Sequence, residues 1–204
     1  MMVIMPFDDE ISPDGVTVCP YRPTWHTEAI ELAGRLREAV PAAVAVEHIG
    51  STSIPGMAAK DCLDMMIVVG DLHGSRAEPL LTSLGYRRRP EPWNNLEEAD
   101  GTTWPKLVFA PLPGGRSTNI HVRTVGSATA RVALLFRDHL RANPARTTWW
   151  SELKIEASRV AKDLAGYGRI KFPAWCLLMD LAEAWAAESG WEPPTYDGPA
   201  ADRS

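Results

Sequence analysis

The chain has 204 residues, 45% of them apolar, and its 21 Lys+Arg against 26 Asp+Glu give a formal charge of −5. That length suits one domain, or one domain with a helical appendage, and that apolar fraction supplies a core. The mild acidity argues against a nucleic-acid-binding face, which would carry a basic stripe, but leaves room for a small basic pocket for phosphate.

Residues 1–20, with Pro6, Pro13, Gly15 and Pro20, read as an extended approach with a short strand over 16–19. Nothing in it has the basic start and long apolar stretch of a signal peptide. No segment reaches the ~18 apolar residues of a membrane span. The expected location is therefore cytoplasmic. The domain is placed at residues 18–190, after a lead-in of residues 1–17. Residues 191–204, rich in Pro, Gly and Asp, read as a loose tail.

A helix begins near Thr24, with Ile30, Leu32, Ala33, Leu36 and Val40 as its apolar face, and Pro41 ends it. A strand over 44–46 leads into Gly50, and residues 51–57 form a loop. Residues 63–69 are a nearly continuous apolar run, which suggests a central strand buried on both faces. It carries one acid, Asp64, which is costly there unless paired. A second helix covers 76–84 and stops at Gly85. Residues 86–92 are a strand or loop edge, and the polar stretch 93–103 reads as a surface loop. Strands over 106–110 and 120–125 form a hairpin through 111–116. Ser127 caps a helix that ends near Asn143, a second runs from Thr148 to Leu164 and breaks around 166–168, and a third covers 172–188. The order gives a mixed α/β sheet flanked by helices, with a helical C-terminal half.

The turn at Gly50 is the strongest chemical feature. Gly50 lets the backbone approach a ligand, and Ser51, Thr52 and Ser53 offer small hydroxyls suited to phosphate oxygens. Lys60 adds positive charge, and Asp64 is a hard oxygen ligand of the kind Mg²⁺ shares with substrate phosphates. No Gly-Lys-Ser/Thr ends the loop, so it is not a Walker A motif. A second group is basic: Lys106, Arg116, His121, Arg123, Arg131, Arg137 and Arg141. His121 and Arg123 alternate on one strand and share a face. Arg137 and Arg141 share a helix face, with Asp138 as a partner. Arg131 and Arg141 read as an ordinary solvated face. His26, His73 and His139 read as surface residues. Trp149, Trp150, Trp175 and Trp185 read as helix packing. Cys19, Cys62 and Cys176, odd in number and without metal-ligand spacing, read as reduced, mostly buried thiols. Cys62, close to the turn, is also a possible nucleophile.

The segment Val46-Glu-His-Ile-Gly-Ser-Thr-Ser-Ile-Pro-Gly-Met-Ala-Ala-Lys60 closely resembles the signature of the GrpB family. The resemblance extends to residues 21–25, 119–126 and 135–144, and to Lys154, Tyr167 and Lys171. It covers most of residues 18–188. It implies a domain also found fused to some bacterial dephospho-CoA kinases, with a nucleotidyltransferase-like fold. Such a fold implies a transferase using Mg²⁺ on a nucleotide or other phosphorylated small molecule. Gly50 and Ser51 match the expected turn, and Asp64 matches one catalytic acid and metal ligand. Ser51, Thr52, Ser53, Lys60, Arg123 and Arg137 are then the phosphate-binding candidates, and His121 a catalytic one. Cys62 and Met66 stand two residues either side of Asp64, where a second acid is expected, and His121 stands where a third is expected. An anion-binding domain without catalysis and a metal-independent enzyme using His121 are the alternative readings. All of them require the turn, Asp64 and the His121–Arg123 strand to open into one cleft.

Overall fold

The computed structural model describes residues 7–196. Helix α1 (Thr24–Ala39) buries Trp25, Ala29, Leu32 and Leu36 on one stripe and stops before Pro41, whose ring lacks the N–H that another turn needs. The strands are β1 (Ala43–Ile49), β2 (Leu63–Val69), β3 (Tyr86–Arg88), β4 (Leu96–Ala99), β5 (Thr102–Pro105), β6 (Leu107–Pro111) and β7 (Thr118–Thr124). Helix α2 (Ala77–Ser83) precedes β3, and α3 (Ala128–Ala142), α4 (Pro144–Val160) and α5 (Leu164–Ser189) complete the chain. The main sheet has the order β1-β2-β7-β6-β3. Only β2 and β7 run parallel in it.

Register fixes the two faces. Asp64 lies opposite Ile49 and Asn119, Met66 opposite Glu47 and His121, and Val68 opposite Ala45 and Arg123. Leu63, Met65, Ile67 and Val69 face the other way and pack with α1, Ile120 and Val122. Met66 and Val68 pack under Ala130 and Leu134 of α3 with Ala45 and Ile49. Strand β2 is thus buried on both faces, which is why its sequence is apolar at every position but Asp64. Truncating Ile67 there to Ala removes about 2–5 kcal/mol.

The mixed α/β sheet and helical C-terminal half are as expected, with four differences in detail. Residues 16–19 form one bridge, Cys19 to Ala59, and no strand. Residues 93–103 hold the β4–β5 hairpin and not a loop. Its turn is Asp100-Gly101, with φ of 52° and 68°, the doubly left-handed geometry that Asp-Gly favours. Helix α4 starts at Pro144, where a missing N–H costs nothing, and the helix break falls at 161–163 and not 166–168. Asp163 caps α5 by accepting from the Gly166 N–H at 2.6 Å, so both glycines fall in the first turns of one long helix.

The tail expected to be loose is anchored as far as Tyr196. Trp191 and Tyr196 pack on the Ala45–Ile49 cluster, and their polar tips donate to Asp138 and Glu47. In the lead-in, Asp9 pairs with Arg87 at 2.7 Å. Residues 1–6 and 197–204 lie outside the described residues. No helix among the described residues is long and apolar enough to cross a membrane.

Candidate functional site

Strand β1 brings the chain to Gly50 beside Asp64. Gly50 has φ 68°, and a Cβ at that position would collide with the Asp64 carboxylate, so two independent constraints demand glycine. Ser51–Ser53 then make one 3₁₀ turn. Thr52 Oγ1 lies 2.9 Å from His48 Nε2. Ser53 Oγ donates back to the Gly50 carbonyl at 2.6 Å. On the outer side, Arg141 donates to the Ser53 carbonyl from Nη2 at 2.8 Å and from Nε at 3.1 Å. The turn is pinned from both sides.

Ser51, Thr52, Lys60 and Asp64 line one cavity of about 90 Å³ together with Ala59, Cys62, Asn119, Lys154, Tyr167 and Lys171. Four of the expected residues therefore meet, and Gly50 makes room for Asp64. Asp64 Oδ1 accepts from Asn119 Nδ2 at 2.9 Å. Burial by itself raises the Asp64 carboxyl; His121, the Asn119 amide and Lys60 outweigh it and hold it below the ordinary range. His121 shares the face of Asp64, with Nε2 4.0 Å from Oδ1, but does not line the cavity. Burial pushes His121 below its ordinary value, and its Nδ1 has no hydrogen-bond partner among the described residues.

Three expected phosphate ligands lie elsewhere. Arg123 does share the His121 face, but β4 covers it and Glu97 Oε2 accepts from its Nη2 at 2.9 Å. Glu97 also pairs with Lys106 at 3.3 Å. Arg137 is taken by Glu47 and Asp138, each at 2.7 Å, and by the His48 carbonyl. Ser53 is buried, with its hydroxyl turned back on Gly50. Arg141 is exposed and pairs with Asp138 at 3.7 Å, as a solvated helix face would, and in addition holds the turn; Arg131 pairs with Glu183 at the surface. His139 is fully buried against Trp185 and is no surface residue. Trp149 is 65% exposed, so it does not pack as expected, whereas Trp150 is buried.

Three residues that the resemblance names but that sequence reasoning did not assign to the site, Lys154, Tyr167 and Lys171, come from the C-terminal helices. Lys154 is 2% exposed, and its Nζ donates to the Ala58 carbonyl. Burial, with Lys171 beside it, drives Lys154 well below the ordinary lysine range. Lys171 Nζ sits 4.3 Å over the Tyr167 ring, and burial, then Lys60, lower it to about 8 despite Asp64. A signal existed: Lys154 falls between Trp150 and Ala157 on the buried stripe of α4, where a lysine is out of place. Burial and the Asp64 charge raise the Cys62 thiol to about 11, so it is no ready nucleophile at neutral pH.

Asp64 is the single carboxylate among the described residues that line the cavity, beside three lysines. No group of three or more His, Cys, Asp or Glu among the described residues could hold a metal. The donor set does not fit a pair of divalent ions. It fits at most one Mg²⁺, with Asp64 as the protein ligand and phosphate oxygens and water as the rest.

Comparison with known proteins places the chain. The family profile described as GrpB protein matches residues 15–176. A dephospho-CoA kinase from Mycolicibacterium paratuberculosis is 33% identical over 215 residues, 93% of this chain and 53% of that one. The chain thus spans about half the length of the curated relatives it matches first. The crystal structure of the conserved protein GrpB from Enterococcus faecalis superimposes with a TM-score of 0.69 at 24% identity, over 86% of this chain and 100% of that one. The Cid1 poly(U) polymerase gives a TM-score of 0.48 at 11% identity, over 75% of this chain and 50% of that one. The chain belongs to the GrpB family.

Proposed function

We propose that this GrpB-family domain binds a nucleotide or other phosphorylated small molecule in the Asp64 cavity and acts on it as a nucleotidyltransferase-like transferase. The observation that carries this is the convergence of Lys60, Lys154 and Lys171 with the hydroxyl turn on a cavity that has one acid. The hydroxyls of Ser51 and Thr52 would hold phosphate oxygens. Lys60 and Lys171 would neutralise the charge that develops on them. Asp64, ionised at neutral pH, would orient an attacking hydroxyl and receive its proton. Asn119 and His121 act as positioning residues that fix the Asp64 carboxylate. If Mg²⁺ takes part, Asp64 is its protein ligand, and the ion supplies further neutralisation of the phosphate.

Isothermal titration with ATP, GTP, CTP and UTP, each with and without Mg²⁺ and paired with a pyrophosphate-release assay, tests the reading. It expects binding of at least one nucleotide, lost in Lys171→Gln. No heat with any of them, and none with simple phosphate compounds, would overturn it.

The positions two residues either side of Asp64 favour a second reading, a binding domain without catalysis. Cys62 and Met66 stand there in place of a second acid. Asp64→Asn separates the two. Loss of a measured turnover with unchanged Tm supports the transferase; unaltered ligand binding in a protein that shows no turnover supports the binding domain.

A further inference from the structure

We infer that the cavity takes a terminal phosphate monoester, seated end on as its dianion, in preference to an internal phosphodiester. This rests on the phosphate reading above and narrows it. Charge and shape carry it separately.

Lys60, Lys154 and Lys171 line the cavity with Asp64, the one carboxylate among its described lining residues. Once an arriving anion favours the protonated form of Lys154, the balance is two positive charges. A phosphate monoester carries about −1.5 to −2 near neutral pH. A diester carries only one negative charge. The monoester is the closer electrostatic match.

Thr52, Ala59, Lys154 and Tyr167 are each 2% exposed and form the floor. Ser51, Lys60, Asp64 and Lys171 are half-buried and form the rim. The cavity thus has a closed end and a mouth. A monoester sends one substituent out through that mouth, whereas a diester has to send two.

Lys154 gives the floor its meaning. Its Nζ is held against the Ala58 carbonyl, and no carboxylate among the described residues pairs with it. A buried ammonium without a counter-charge is a strongly unfavourable arrangement. A dianion arriving at the floor supplies that counter-charge. Burial first, and then the neighbouring lysine charge, lowers both Lys154 and Lys171, and an anion beside them would favour their protonated forms.

Isothermal titration of the intact protein at pH 7.5 with phenyl phosphate, methyl phenyl phosphate and inorganic phosphate tests the inference. Phenyl phosphate is expected to bind at least tenfold more tightly than methyl phenyl phosphate, and the preference to fall below threefold in Lys154→Met. Should Lys154→Met fail to fold, Lys171→Gln is expected to weaken phenyl phosphate at least tenfold and the diester far less. Diester binding as tight as monoester binding overturns the inference and leaves the phosphate reading standing. Binding of inorganic phosphate with neither ester also overturns it, because the mouth then admits no substituent. No binding of these three or of ATP overturns both.

Discussion

Two buried cationic regions lie within the same small fold and are built on opposite terms. Around Arg137, the cation meets its counter-charges inside the protein: Glu47 and Asp138 each accept at 2.7 Å. Arg123 is matched the same way by Glu97 at 2.9 Å. Around Lys154 the burial is as deep, yet its partner is a neutral carbonyl and its neighbour another lysine. A buried charge with an internal partner holds the structure, and removing the partner exposes the cost. A buried charge without one carries an unmet electrostatic demand, which is what a site for an external anion requires.

Mutations can break this contrast. The largest expected effect is at the satisfied pair. Arg137→Met strands Glu47 and Asp138 on the α3 face and should lower unfolding stability by about 3–5 kcal/mol in urea titrations. Loss of under 1 kcal/mol would mean that the pair is structurally idle. The next effect lies in pH. Lys171 has a proton affinity near 8 in the folded chain against an ordinary 10.5. Below about pH 8 both folded and unfolded chains hold its proton, and the full penalty is present. Between pH 8 and 10.5 the unfolded chain holds the proton and the folded one has released it, so stability rises with pH. The gain should be about 3 kcal/mol. Other groups titrate in the same window, so the quantity to read is the difference between wild type and Lys171→Gln, measured without ligand. A difference that is flat in pH would contradict the assignment. The smallest effect is at Lys154. Lys154→Met, which replaces an unmatched amine by an apolar chain of similar length, should stay within about 1 kcal/mol of wild type while phenyl phosphate binding weakens and its preference over the diester shrinks. A collapse in stability comparable to that of Arg137→Met would place Lys154 with the structural cations.

Much of the fold was legible because burial writes directly into sequence. The run over β2 is apolar at every position except Asp64 because both of its faces are covered. Gly50 stood out because a turn with positive φ that closely approaches another side chain tolerates little else. The β4–β5 hairpin was obscured by the polar composition of 93–103, although its Asp100-Gly101 pair is a turn signal in its own right. Alternation along β7 placed Arg123 on the correct face, but nothing local says that Glu97 covers that face from 26 residues away. The same limit hid half of the cavity. Lys154 reaches Ala58 across 96 residues; its place on the buried stripe of α4 marks it as unusual, but nothing local says which cavity it lines. Arg141 is exposed and paired with Asp138 as its helix position suggests, but its second partner, a backbone carbonyl of the turn, is one that no side-chain pattern reveals.

The central claim is that the cavity lysines await an anion. The most direct measurement is the titration of the Lys171 ammonium by NMR in ¹³Cε-lysine-labelled protein, assigned with Lys171→Gln, with and without saturating phenyl phosphate. Lys171 should titrate near 8 in the free protein. It should move up by at least one pH unit when the phosphate is bound. A Lys171 signal that titrates at the same pH with and without saturating ligand would contradict the claim.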